Sequence, residues 1–189
     1  MTPEMRRIVA EAEKTARGGW SDEAVASVAE STRGLRCNAD SLARLLAFPE
    51  ADHGFREAVF MTDPSFHASV FALAEGETIP LHDHPRMDVI SKVLRGRVRV
   101  RAYEWVDAAA LRARACGELI LGEDDGALVL RKSPGTLHTI TALEGTAFLD
   151  LFAPYYDDVA RPCTYYKEVA GDTATNVRMR VVTWEEARQ

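Results

Sequence analysis

The chain is poor in cysteine. Cys37, Cys116 and Cys163 are the only three among 189 residues, they lie far apart, and no CxxC pair occurs. An odd, scattered set excludes a disulfide framework and points to a reducing compartment. Long apolar runs are missing as well: no stretch reaches the ~20 residues of a membrane span. The opening segment MTPEMRRIVAEAEK mixes both charge signs and lacks the apolar centre of a signal peptide. Together these absences predict a soluble, cytoplasmic protein with no membrane partner. Positive charge is also short, with a net charge of −6. That balance excludes a general nucleic-acid binder, which needs a positive field to meet phosphates. There is no GxGxxG for a dinucleotide, no repeat of solenoid length, no low-complexity tract and no interdomain linker.

What is present can build a core. Apolar residues make up 47% of the chain, and its length suits one domain over residues 1–189. Residues 1–50 read as a helical cover. Residues 4–17 place Ile8, Val9, Ala12 and Ala16 at helical spacing and stop at Gly18-Gly19. Ser21 caps a second helix to about Ser31, and Asn38 or Asp40 caps a third that carries Leu42, Leu45 and Leu46 and ends before Pro49.

From about residue 55 the texture changes. Short runs rich in Val, Phe, Leu and Thr, the first near 66–74 and the last near 177–184, are separated by turns such as Glu75-Gly76, Arg95-Gly96 and Glu144-Gly145. Many evenly spaced strands with glycine turns predict a β-sandwich or barrel over residues 55–185. Residues 107–115 carry enough alanine to suggest a short helix within it. Arg95, Arg97, Arg99 and Arg101 alternate along one strand face, which reads as a solvated surface balanced by neighbouring acids.

Chemistry concentrates in the histidines. His82 and His84 form an HxH pair, and side chains two apart on a strand share a face, so one metal can take both imidazoles while Asp83 faces away. The pair alone does not establish a site, since packed or surface histidines also occur at that spacing. Context adds to it: Gly76 precedes His82 in a G-x5-H-x-H pattern, and Pro134-Gly135-Thr136-Leu137-His138 supplies P-G-x-x-H. Two glycine-anchored motifs of this kind mark the cupin barrel, where three histidines converge inside the barrel mouth. A carboxylate often joins such sites seven residues before the turn glycine. Counting back from Gly96 gives Val89, with Asp88 beside it pointing elsewhere, so a neutral three-histidine site is expected. His53 and His67 have no partner at ligand spacing and read as structural.

Residues 79–106, IPLHDHPRMDVISKVLRGRVRVRAYEWV, resemble the first metal motif of the plant cysteine oxidases and cysteamine dioxygenases. Three later blocks follow in the family's order: Gly135–Ala142, Leu149-Asp150 through Pro154-Tyr155-Tyr156, and Cys163-Thr164-Tyr165-Tyr166. The resemblance implies a mainly β, double-stranded β-helix (jelly-roll) cupin barrel with an N-terminal helical segment. It implies an oxidoreductase that uses Fe(II) and O2 to convert a small aminothiol, or the N-terminal cysteine of a peptide, to its sulfinic acid. His82, His84 and His138 match the metal ligands, and Asp150 and Tyr156 match residues near the substrate. Cys163 and Tyr165 match a pair beside the site, either packed core residues or a thiol and phenol close enough to cross-link. Tyr156 and Tyr165 are placed to hydrogen-bond oxygen, and Asp150 to pair with a substrate amine. Two departures stand out. Arg86 replaces the usual glycine after HDHP and Asp88 replaces a smaller polar residue; Arg86 either binds a carboxylate-bearing thiol or pairs with Asp88 at the surface. A metal-dependent isomerase, a non-thiol dioxygenase, and a cupin that only binds a small molecule are the alternatives.

Overall fold

The computed structural model describes residues 2–49, 55–132, 135–169, 173 and 175–189. Helices α1 (Pro3–Arg17), α2 (Asp22–Ser31) and α3 (Ala39–Leu46) come first. Each begins where a side-chain oxygen accepts from the third backbone N–H along: Thr2 from Met5, Ser21 from Ala24, Asn38 from Ser41. Among the described residues eleven strands follow: β1 (Arg56–Asp63), β2 (Phe66–Leu73), β3 (Thr78–Asp83), β4 (Asp88–Arg95), β5 (Arg97–Asp107), β6 (Arg112–Gly122), β7 (Leu128–Leu130), β8 (Thr136–Ala142), β9 (Thr146–Ala153), β10 (Tyr165–Glu168) and β11 (Val177–Val182). A short helix, α4 (Trp184–Ala187), ends the chain with a capping box built by Thr183 and Glu186. No helix among the described residues is long and apolar enough to cross a membrane.

The strands form two antiparallel sheets. One has the order β1-β2-β9-β4-β7; the other, β10-β11-β6-β5-β8-β3, closes on itself through the pairing of Tyr165 with His82. This is the mainly β cupin barrel with N-terminal helices that the sequence led us to expect. The alternation of side chains across β2, β9 and β4 defines two faces. Phe66, Ala68, Val70, Leu149 and Leu151 meet the apolar stripes of the helices, among them Ile8, Val9 and Val28. The opposite face, with Val93 and Phe148, looks into the barrel against Val98, Val100 and Ile140 from the other sheet. Strand β9 is therefore buried on both sides along its whole length, which is why it reads as an unbroken apolar run interrupted only by Asp150.

Gly96 shows how tightly the β4–β5 turn is built. Its φ is +80°, and a Cβ there would lie 2.5 Å from the Gly145 carbonyl oxygen, so the turn accepts only glycine. Two sequence expectations are corrected. Residues 107–115 hold no helix: Asp107 accepts from the Ala110 N–H, Leu111 takes a left-handed φ of 53°, and the chain reverses into β6, which starts at Arg112. Local alanine content loses to the ladder with β5, which continues to the Asp107–Arg112 pair. Strand β1 was absent from the expected runs. It is the edge of its sheet and half-buried without clean alternation, so its sequence carries no period-two signal.

Candidate metal centre and cavity

His82 lies near the end of β3, His84 just beyond it, and His138 in β8, where it is the cross-strand partner of His82. All three are buried, and their ring centroids are 4.7, 4.8 and 5.0 Å apart. One ligand atom from each lies within 4.8 Å of the others, and no carboxylate joins this group among the described residues. Burial lowers the His82 pKa to about 4 and holds those of His84 and His138 well below the ordinary value, with the neighbouring imidazoles adding to the effect. All three rings are thus neutral near pH 7, the state in which imidazole offers a lone pair to a metal.

The hydrogen bonds fix which nitrogens face inward. His82 Nδ1 donates to the Pro80 carbonyl at 2.8 Å, leaving Nε2 as its lone pair. The Tyr156 hydroxyl donates to the Asp83 carbonyl at 2.9 Å and so accepts from His84 Nδ1 at 2.6 Å. His84 Nε2 is left facing His138 Nε2, 3.0 Å away. Two buried imidazole nitrogens this close need a cation or a proton between them. The residues present therefore fit a divalent cation, and a set of imidazoles alone suits Fe, Zn, Cu or Ni. Tyr156→Phe removes the acceptor that orients His84. We expect metal affinity to fall about 10- to 100-fold, read by chelator competition, with little change in Tm. Unchanged affinity would show that the His84–Tyr156 contact does not orient the ring.

His82 and His84 open onto a cavity of about 380 Å³ lined also by Asp150, Phe152, Tyr156, Cys163 and Tyr165. Asp150 stands in β9 with Ser69 and Ser91 as its cross-strand partners. The Ser91 hydroxyl donates to its carboxylate in a short hydrogen bond. Burial raises the Asp150 pKa to about 7; the Ser91 bond opposes this and the charge of Glu57 adds to it. Burial likewise pushes the Cys163 thiol up to about 11 and the Tyr156 and Tyr165 phenols above their usual range.

The remaining expected residues lie elsewhere. Arg86 is exposed, takes a φ of 58° and does not line the cavity. That left-handed conformation is one a glycine adopts freely, and the guanidinium donates to the Ala160 carbonyl instead. Arg86 and Asp88 do not pair: the buried Asp88 carboxylate meets Arg131 at 3.2 Å and Lys132 at 3.8 Å. Asp83 faces away from the histidines, accepting from Thr164 N–H and the Tyr166 hydroxyl. His53 falls outside the described residues. Sequence reasoning missed Glu57, which lines the cavity, and Ser91. His67, which the sequence read as structural, is buried and meets Glu57, with Nε2 to Oε1 at 3.1 Å. No local motif marks any of the three.

Known proteins align with this picture. The PCO_ADO family model matches residues 55–188. Plant cysteine oxidase 1 of Arabidopsis thaliana is 31% identical over 140 residues, covering 66% of this chain and 45% of the relative. The 2-aminoethanethiol dioxygenase of Homo sapiens is 35% identical over 140 residues, covering 58% of this chain and 50% of the relative. The chain spans about half the length of the curated relatives it matches. Among solved structures, KdgF from Halomonas sp. superposes with a TM-score of 0.46 at 24% identity, over 58% of this chain and 87% of that one.

Proposed function

Because this chain belongs to the PCO_ADO family, we propose that it is an iron-dependent thiol dioxygenase converting a small aminothiol, or the N-terminal cysteine of a peptide, to the sulfinic acid with O2. The observation that carries the reading is the convergence of three buried imidazoles, with no carboxylate in the group among the described residues, beside a cavity that His82, His84 and Asp150 line. His82, His84 and His138 are the residues that hold the metal. Ferrous iron held there would supply the redox chemistry for adding both atoms of dioxygen to a thiol sulfur.

The chain's own groups do the rest. The Pro80 carbonyl and the Tyr156 hydroxyl hold two of the rings in the tautomer that points a lone pair inward. Asp150, steadied by Ser91, accepts the substrate's ammonium. Ile79, Ile140 and Phe152 line the cavity with apolar surface that keeps water from the sulfur. Tyr165 and Cys163 close the wall beside His82, with Tyr165 paired to it across the strands. The helical cover and one sheet share a hydrophobic core, which supports residues 1–189 as one domain. Three free cysteines favour a reducing, cytoplasmic setting.

Metal analysis together with oxygen uptake over a panel of thiols tests the proposal. Bound iron with thiol-dependent uptake and a sulfinic product is the expected result. Another metal without uptake would indicate a different cupin enzyme or a binding protein. Within the panel, cysteamine should exceed 3-mercaptopropionate in kcat/KM by at least about tenfold, since a charge-assisted bond to Asp150 is available only to the amine. Arg86, engaged with Ala160, offers the acid nothing in return. A preference for the acid that Arg86→Ala removes and Asp150→Asn does not would make Arg86 the specificity residue instead.

A further inference from the structure

Three carboxylates line the cavity, Glu57, Asp150 and Asp158, and no lysine or arginine does so among the described residues. Asp158 is exposed; Asp150 is buried, and the Glu57 side chain is 8% exposed. Glu57 comes from β1 and faces the cavity from the opposite side of β2 to Asp150's strand, β9. It does not float there. His67 Nε2 meets Glu57 Oε1 at 3.1 Å, and the His67 ring stacks on Tyr155 at 3.8 Å between centroids and 8° between planes, so the contact is held from two directions. Asp150 feels this neighbour directly, since the charge of Glu57 adds to the burial that raises the Asp150 pKa.

We propose that Glu57, positioned by His67, is a specificity-determining residue of the cavity: with Asp150 it receives the cationic amine of the substrate and turns away thiols that carry a carboxylate. The assignment deepens the dioxygenase reading and rests on it for the identity of the substrate as a thiol. Two acids around one ammonium add attraction for a cation and repulsion for an anion in the same step, so discrimination exceeds what Asp150 alone provides. The buried His67, which does not line the cavity, holds Glu57 in place from behind.

The test is binding, not turnover. Iron-loaded protein is titrated calorimetrically, without oxygen, with cysteamine and with 3-mercaptopropionate. Glu57→Gln, which keeps the shape and removes the charge, should weaken cysteamine about tenfold and leave 3-mercaptopropionate unchanged or tighter. His67→Phe should reproduce the loss for cysteamine, and His67→Gln, which keeps a donor for Glu57, should restore most of it. Cysteamine binding within twofold of wild type in Glu57→Gln would overturn the proposal. So would equal weakening of both thiols, or wild type that binds no cysteamine. A loss in His67→Phe that His67→Gln does not recover would remove His67 from it. Glu57-dependent cysteamine binding in a wild type that consumes no oxygen would sink the dioxygenase reading and leave this assignment standing.

Discussion

Replacing His138 by alanine should abolish thiol-dependent oxygen uptake, by at least about 1000-fold, while the barrel stays folded. Loss of a group that merely orients a ligand costs about 10- to 100-fold, and loss of a ligand itself costs more. The fold survives because of what His138 does not do. Its Nδ1 has no hydrogen-bond partner among the described residues and its Nε2 meets only His84 Nε2, so truncation leaves the strand-to-strand hydrogen bonds of the barrel intact. Its backbone remains paired with both β3 and β5. We expect a stability change within about 1–2 kcal/mol, measured by denaturant unfolding, alongside loss of bound iron. Full activity in iron-loaded His138→Ala would show that the metal is held elsewhere.

Asp150→Asn is the second large effect. The variant keeps the shape and an acceptor for Ser91 but loses the charge. We expect kcat/KM for cysteamine to fall about 100-fold, with much less change for a thiol that carries no amine. The same residue sets a pH dependence. Its folded pKa is about 7, raised by burial above the unfolded carboxyl value. The folded state therefore holds the proton more tightly. This contribution to stability is complete below the unfolded pKa of about 3.9, declines through the interval up to about 7, and is lost above it. Asn has no proton to lose, so Asp150→Asn should flatten the decline between about pH 4 and 7, a difference on the order of 3 kcal/mol read from denaturant midpoints across that range. Activity runs in the opposite direction: pairing with an ammonium needs the ionised carboxylate, so wild-type kcat/KM for cysteamine should rise through about pH 7. A wild-type profile flat across that pH, or stability curves of equal slope in the two proteins, would contradict the placement of Asp150 in an enclosed site.

The chain's local patterns specified a good part of this protein. The caps at Ser21 and Asn38, the glycine turns and the strand texture are written in short spans because each depends on contacts within a few residues. The histidine pair at 82 and 84 and the PGxxH segment were legible for the same reason: ligand spacing and a positive-φ glycine are local properties. Asp150 stood out because a carboxylate in an otherwise apolar strand needs a partner.

Only the tertiary structure decided the rest. Ser91 became that partner through the register of β4 against β9. Arg86 turned out of the cavity because its left-handed backbone sends the guanidinium to Ala160, and Asp88 was claimed by Arg131 and Lys132 from a segment more than forty residues on. The alanine-rich stretch at 107–115 became a hairpin because long-range pairing outweighed local propensity. Glu57 and His67 meet across β1 and β2, and an edge strand without alternation leaves no periodic trace. Residue types and spacings announced which chemistry this chain carries. Which side chains line the cavity beside the histidines depended on strand register, because register alone decides which residues, distant in sequence, share one face of a sheet.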